Sequence, residues 1–588
     1  MKYLFLFSVT PVQAFISQAR KTQDLYAGSF ILSHLCRTAA ERVEQKYKAR
    51  VIFPKLTNEA IINRFLAVVD DSNRENNRAM GLDIEKSVQE EFRRMAETLL
   101  SKMEISGPPG FSERLLKQIN NYWHCYWLFE EYPDKQFATA YKKAEQAFGT
   151  IKNTRKFMQF EQEPARKCSV TGEHNVLFYR TGQKQGFVPD FATALSDKIP
   201  LKYLDSKEKL GGITFVKRCA GKYFESERNY IKDFPSTADI ALMDLLEKCR
   251  GKIPETGVST VALFDKYNGK HIPQSLADGT KENTEKVYMY LKSNKVELTP
   301  YYAMVLFDGD YMGKWLAGNF INGETLEDFQ GYLSNCLGQF AGTAGKDIVI
   351  PPKGRTVYAG GDDFLGFINI NHLFETLKEL RSKFEQIDLS KYTNRKLTFS
   401  AGVVVAHWKA PLSEVLGWAR RMENEAKNID GDKDAFALAV LKHSGEIHKT
   451  VYKWRYDGAW TVDLLKDLID KIKVVAEGQT SSSSAPLGQE FSNNFIKTIN
   501  QEFSKLMDED GNLYEHSLIM SEIKRLLHRS SLLRKKPGQT FKEFELRKKL
   551  TVQSSQKMLE MLYTYSNNFQ NFLSALNIAD FLAREVKK

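Results

Sequence analysis

The sequence predicts an α+β fold: a ferredoxin-like sheet in the second half of the chain, a mixed sheet before it and a helical region after it. Three observations carry that prediction. Between residues 296 and 446 strand-like and helix-like segments follow one another in the order β-α-β-β-α-β. The first forty residues and the stretch to 165 alternate short apolar strands with long amphipathic helices. After Thr450 the pattern is helical. The 588 residues suffice for several domains, and 42% hydrophobic with 12% aromatic residues exclude a disordered chain. No apolar run approaches the roughly 20 residues of a bilayer span, and the apolar N-terminus lacks a signal-peptide cleavage site and is interrupted at Pro11. A cytoplasmic protein without a membrane partner is expected. Six dispersed cysteines (36, 125, 168, 219, 249 and 336) fit a reducing compartment. The formal charge of +11 points to a polyanionic partner.

In chain order, Tyr3–Phe7 reads as a strand. Thr10 caps a helix that Pro11 opens, with Val12, Phe15, Ile16 and Ala19 on its buried face. Gly28-Ser29 reads as a turn opening a second helix, whose backbone N–H groups would face a phosphate. Strands follow at 51–53 and 64–69, then helices over 83–105, 112–128 and 134–150, with Trp123, Tyr126 and Trp127 as core. Around Cys168 and His174 the chain resembles half of a metal knuckle. A structural zinc site needs four ligands, and Cys219 and Cys249 lie far away, so no structural zinc is expected. A helix is expected over 236–249, and residues 175–295 carry no readable function.

The chemistry-bearing stretch starts with strand 302–307, which runs into Asp308-Gly309-Asp310. Helices near 325–345 lead to a hairpin over 356–368 centred on Gly360-Gly361-Asp362-Asp363, where glycine supplies the positive φ of the turn. A helix at 371–387, a strand at 397–406, a helix at 412–428 and a strand at 436–440 complete the set, an order shared by palm domains. Two strand-borne acidic sites suit two divalent cations bridging the phosphates of a nucleoside triphosphate, and oxygen ligands suit Mg²⁺ or Mn²⁺. Asp308 and Asp362 are the expected principal ligands, with the Gly309 carbonyl nearby and Asp363 as a further ligand or orienting group. Asp310 is expected to be turned away by Tyr311-Met312-Gly313. Gly360 and Gly361 would lie against the nucleotide, and Lys427 would reach a β- or γ-phosphate as a point charge. Beyond Thr450, residues 477–486 read as a low-complexity loop. Between Lys524 and Lys549 ten Lys or Arg face only Glu543 and Glu545, a candidate nucleic-acid or subunit contact.

The stretches Phe7–Ile16 with Asp24–Ser29, Phe307–Lys314, Gly360–Asp363 and Ser400–Lys427 together resemble the large palm-domain (GGDD) subunit of type III-B (Cmr) CRISPR effector complexes. The resemblance implies two ferredoxin-like palm domains of polymerase/cyclase type, packed face to face, with helical insertions and a C-terminal helical domain. The corresponding boundaries are 1–165, 166–295 (connecting), 296–450 and 451–588. It also implies partners (other Cmr subunits, CRISPR RNA and target RNA) and a target-RNA-activated synthesis of cyclic oligoadenylate from ATP. The donor would sit at Asp308, Asp362 and Lys427 with two metal ions, and the acceptor against the first palm near Arg20, Gly28 and Ser29. Many relatives begin with an HD nuclease domain. Here the first strand begins at Tyr3 and no histidine precedes an aspartate, so no HD nuclease activity is expected. Transfer of AMP to S-adenosylmethionine, a stand-alone nucleotide cyclase and a catalytically silent scaffold are the competing readings.

Overall fold

The computed structural model describes all residues except 71, 121, 134–135, 155–161, 181–187, 275, 323–324, 473–489, 492–493, 504–514 and 587–588. The expected loop at 477–486 lies outside the described residues. The chain begins β1(Lys2–Thr10) α1(Gln13–Ser17) α2(Thr22–Tyr47) β2(Arg50–Phe53) β3(Arg64–Val69) α3(Arg74–Lys102) α4(Phe111–Asn120) β4(His124–Tyr132) α5(Phe137–Asn153). Its sheet has the order β2-β3-β1-β4. A connecting region follows: β5(Phe178–Arg180) β6(Thr193–Leu195) α6(Gly212–Tyr223) α7(Thr237–Lys248) α8(Thr260–Tyr267) α9(Asp278–Ser293). Then come β7(Tyr301–Gly309) α10(Met312–Leu316) α11(Leu326–Thr343) β8(Gly354–Gly360) β9(Asp363–Ile368) α12(Leu373–Glu385) β10(Phe399–His407) α13(Leu412–Lys427) β11(Ala435–Leu441) β12(Ile447–Lys453). These strands form a sheet of order β12-β11-β10-β7-β9-β8. Within it β8-β9-β7-β10 repeats the connectivity of the first sheet, so the chain holds two ferredoxin-like units. A small ribbon, β13(Arg455–Tyr456) and β14(Ala459–Trp460), precedes the helices α14(Thr461–Ile472) α15(Asn494–Phe503) α16(His516–Ser530) α17(Phe541–Thr564) α18(Phe569–Glu585).

Both faces of both sheets are covered, which is why their strands are nearly continuous apolar runs. In β1, Leu4 and Leu6 face the core shared with α5, while Phe5 and Phe7 face α2 and α3. Asn571 of α18 closes the edge strand β12: its Oδ1 accepts from Val451 N at 2.9 Å and its Nδ2 donates to Val451 O at 3.0 Å. Among the described residues no helix is long and apolar enough to cross a membrane.

Two expectations are corrected. The helix expected over 112–128 stops at Asn120, and His124–Tyr132 is strand β4, paired along all of β1 from Lys2↔Tyr132 to Thr10↔His124. Cross-strand pairing of that aromatic run outweighs its helical spacing. Gly28 and Ser29 do not open a helix. Helix α2 begins at Thr22, so both lie inside it, buried, with their N–H groups in the helical ladder. A Cβ at 28 would lie 3.1 Å from Lys217 Cδ, so glycine gives that buried side chain room against α2.

The connecting region fastens the two sheets together. Lys217 of α6, buried, donates to the carbonyls of Phe15 and Gln18. Its neighbour Arg218 pairs with buried Asp24 and Glu208, and Asp24 also accepts the backbone N–H groups of Arg20 and Lys21. On the other side Asn369 Nδ2 donates to the Ile240 and Ala241 carbonyls of α7. The knuckle-like turn is closed by backbone bonds, Cys168 N to His174 O at 2.8 Å and Gly172 N to Cys168 O at 2.9 Å, and Cys168 Sγ lies 3.3 Å from Thr214 Oγ1.

Candidate active site

Strand β7 runs between β9 and β10 and delivers Asp308 at its C-terminal end. Beside it, pairing of Gly360 with Asp363 closes a two-residue hairpin over Gly361-Asp362. Gly361 has φ +70°, the left-handed conformation that a glycine-first hairpin turn requires. Strand end and hairpin tip approach closely because residue 309 is glycine: a Cβ there would lie 2.8 Å from the Asp362 Cβ. Beneath them Phe307 stacks on Phe364 at 4.8 Å and on Phe399 at 3.9 Å, a rigid floor for both acidic ends. Asp308, Asp362 and Asp363 consequently bring one carboxylate oxygen each within 4.8 Å of one another.

The opposite wall is α13. It lies unusually close to β10, since a Cβ at residue 402 would be 2.0 Å from the Ala419 carbonyl oxygen. That contact aims Lys427 at the acidic corner, where its ammonium pairs with Asp308 and donates to Glu423 Oε1 at 2.6 Å. Asp310 points away: its carboxylate accepts from Thr398 Oγ1 at 2.9 Å, Ser400 Oγ at 2.8 Å and Asp434 N at 3.1 Å.

Crowding of like charges governs the electrostatics. Enclosure and the neighbouring Asp308 push Asp362 up to about 7. Asp363 is raised as well, by enclosure and by Asp362 and Asp308. Its side chain reaches solvent, so mutual repulsion rather than burial is the firmer cause of that rise. Lys427 is raised despite partial burial, because Asp308 and Glu423 stabilise its charge. Glu423 is raised by burial, against the pull of Lys427. Three convergent carboxylate oxygens, two of them on raised aspartates, are a donor set a hard divalent cation relieves, so the residues present fit Mg²⁺ or Mn²⁺.

The structure thus brings together Asp308, Gly309, Gly360, Gly361, Asp362, Asp363 and Lys427. It does not gather the three residues expected around an acceptor. Arg20 lines a cleft with the first half of α13, Ser29 lines a separate cleft beside Tyr358, and Gly28 is covered by Lys217. Gly28 and Ser29 lie about two helical turns beyond the loop that holds Arg20, which separates them. Glu423 was not anticipated. Its signal is the Glu-to-Lys spacing of four residues that puts it and Lys427 on one helix face.

The chain matches two family models, "CRISPR-associated protein Cmr2, N-terminal" over residues 4–158 and "Cas10/Cmr2, second palm domain" over 301–437. Both matched regions are of the Cas10/Cmr2 family. The second-palm match takes in every acidic residue of the corner together with Glu423 and Lys427, and the N-terminal match takes in Arg20, Gly28 and Ser29. A curated relative, CRISPR system Cmr subunit Cmr2 of Pyrococcus furiosus, is 24% identical over 568 aligned residues, 77% of this chain and 63% of the relative. The chain therefore spans less than two thirds of that relative's length. Its fold resembles a type III-B Cmr-beta chain in the apo state (TM-score 0.64, 14% identity, covering 99% of this chain and 82% of that one). It also resembles a Cmr-beta chain bound to cognate target RNA (TM-score 0.67, 15% identity, 99% and 83%).

Proposed function

We propose that this chain is the large subunit of a type III-B RNA-guided defence complex and that its second palm is a metal-dependent nucleotidyltransferase. When target RNA is bound, it would join ATP into cyclic oligoadenylate. The observation that supports this reading best is the three-carboxylate corner facing Lys427. Divalent cations held by Asp308, Asp362 and Asp363 would neutralise charge on the transferring phosphate and lower the pKa of the attacking hydroxyl.

The chain's own residues contribute positioning and charge. Lys427 is held at the rim by Asp308 and Glu423, and a triphosphate oxygen would take the place of Asp308 as its partner. Glu423 keeps the ammonium aimed during that exchange. Gly309 lets the hairpin tip close onto the end of β7, so that Asp308 and Asp362 can face one nucleotide. Other Cmr subunits, CRISPR RNA and target RNA are the proposed partners, in keeping with the target-RNA-bound Cmr-beta relative, and the basic stretch Lys524–Lys549 is a contact for them.

The test assembles the complex with guide and target RNA and supplies labelled ATP, with and without S-adenosylmethionine, with products identified by mass spectrometry. Cyclic oligoadenylate should form only with target RNA and vanish in Asp362→Ala/Asp363→Ala. An adenylylated S-adenosylmethionine would replace the cyclic product, and unconsumed ATP under every condition would overturn the enzymatic reading.

A further inference from the structure

The hairpin that carries Asp362 and Asp363 turns through Gly360-Gly361, and glycine restrains its own backbone less than any other residue. A tip with two consecutive glycines needs an outside hold if its carboxylates are to stay aimed at one cation. Strand β8 supplies one. Its pairing with β9 runs regularly from Gly354↔Ile368 to Thr356↔Gly366, then skips Val357 and resumes at Tyr358↔Leu365. The extra residue is a β-bulge, a device that re-aims a side chain. Without it Tyr358 would pair with Phe364 and point to the opposite face of the sheet. With it Tyr358 shares a face with Leu365, Gly360 and Asp363.

The phenol folds along the strand toward the turn. Its ring lies across Gly360, where a Cβ would come 2.5 Å from Tyr358 Cε2, and its hydroxyl donates to the Gly360 carbonyl at 3.2 Å. Gly360 is the residue whose pairing with Asp363 closes the turn, and a carbonyl oxygen has a second lone pair for such a donor. Fixing that carbonyl fixes the planar peptide leading into Gly361, and with it the direction in which Asp362 leaves the strand. Glycine at 360 thus has a steric reason of its own: it admits the ring. The ring is partly buried against the core that also holds Leu32, Leu35 and Cys36 of α2, so the first palm backs it.

We propose that Tyr358 is the positioning residue of the acidic hairpin: its hydroxyl holds the Gly360 carbonyl so that Asp362 and Asp363 face the same cation as Asp308. A ring that only filled core would need no hydroxyl, no bulge before it and no glycine two residues on. The proposal takes its cation from the nucleotidyl-transfer reading, but cation binding is measured without turnover.

The experiment measures Mn²⁺ binding by calorimetric titration of the assembled complex without ATP, with the Asp362→Ala/Asp363→Ala complex as background. In Tyr358→Phe the ring and its packing stay. The melting temperature should hold, while Mn²⁺ affinity at the corner falls roughly three- to tenfold, the worth of one hydrogen bond. Turnover at limiting Mn²⁺ should fall by the same factor and recover at excess Mn²⁺, with KM for ATP unchanged there. Gly360→Ala should displace the ring into the cleft of about 900 Å³ that it borders, and adding Tyr358→Phe to it should cost nothing further. Mn²⁺ affinity unchanged in Tyr358→Phe would overturn the proposal whatever the melting temperature, and so would losses that add in the double variant. If Tyr358→Phe weakens Mn²⁺ binding but no preparation consumes ATP, the transfer reading falls and the positioning role stands. Turnover that needs Asp362 and Asp363 but ignores the Tyr358 hydroxyl at every Mn²⁺ concentration gives the reverse.

Discussion

Two residues apart on one strand end, Asp308 turns toward the hairpin while Asp310 turns inward, where three donors occupy its carboxylate. Asp308→Ala should therefore abolish turnover and leave the melting temperature unchanged or higher, because it removes charge from a crowded corner. Asp310→Ala should deprive three donors of their acceptor, Ser400 buried and Thr398 and the Asp434 N–H partly buried, at a cost of up to roughly 1–3 kcal/mol for the buried one, and denaturant titration should show the loss. The raised pKa of Asp362, about 7, carries a sign. An ordinary unfolded aspartate titrates near about 3.9, so between those values the cation-free native state binds more protons than the unfolded one. Its stability then falls as pH rises through that window. Asp362→Asn should flatten that slope. A cation must displace that proton and any held by the likewise raised Asp363, so Mn²⁺ affinity should weaken at least tenfold per unit as pH falls below 7. Calorimetric titrations at pH 6, 7 and 8 check this, and a pH-independent affinity would contradict the assignment. The three aspartates were legible because they sit where apolar strands meet turns: Asp308 near the end of β7, Asp362 in the hairpin turn and Asp363 at the start of β9. Glu423 was not, since one glutamate on a charged helix face looks like any other until Lys427 is placed beside Asp308. Gly28-Ser29 misled because glycine at a turn and glycine beneath a packed lysine read alike in sequence.

At the scale of elements, α13 forms one wall of the acidic corner, and its position depends on one glycine in β10. A methyl at residue 402 cannot coexist with the Ala419 carbonyl at 2.0 Å, so Gly402→Ala must push α13 outward and draw Lys427 and Glu423 from the corner. Turnover should fall at least tenfold with all carboxylates in place, and overpacking should cost about 1–3 kcal/mol. Gly361→Ala is the comparison. It strains one φ at a hairpin tip by roughly 1–2 kcal/mol and leaves α13 where it is, so Lys427 should remain paired with Asp308. Steady-state kinetics and thermal unfolding of the two variants separate the effects. Five strands of the second sheet were readable because they are apolar and their turns glycine-rich. The polar edge strand β12, Ile447–Lys453, was not, and the helical pattern expected after Thr450 begins only at Thr461. Strand β4 was not readable either: His124–Tyr132 has both aromatic density and helical spacing, and only its register with β1 decides between them.

The whole molecule is two copies of one sheet topology, of which one carries the chemistry. The first copy ends its central strand in Phe7-Ser8-Val9-Thr10, without a carboxylate, and joins β2 to β3 by a long loop instead of the acidic hairpin. This divergence hides the repeat from the sequence, as does the pinning of one copy by Lys217 and Arg218 some two hundred residues along the chain. The loop from 54 to 63 carries the interface. Lys55 N donates to Ser334 Oγ at 2.8 Å, Asn58 Nδ2 donates to Ser334 O at 3.2 Å, Glu59 pairs with Lys346, and a Cβ at Gly361 would lie 3.8 Å from Ile62 Cγ2. The first palm thus touches the hairpin tip without contributing to the acidic corner, and a displacement of this loop should reach the hairpin before it reaches the carboxylates. Gly338 of α11 is the place to test it, because a Cβ there would lie 2.0 Å from Asn58 Oδ1. Gly338→Ala should swing the Asn58 side chain away and break its bond to the Ser334 carbonyl, loosening the loop's hold on α11, while the helix itself gains from alanine's better propensity. The expected outcome is an intact Mn²⁺-induced thermal shift with target-RNA-dependent turnover reduced several-fold, measured on the assembled complex. Asn58→Gly in the same background relieves the clash without restoring that bond, so turnover should stay reduced, whereas a Gly338→Ala protein with full activity would show that the palms transmit nothing through this loop.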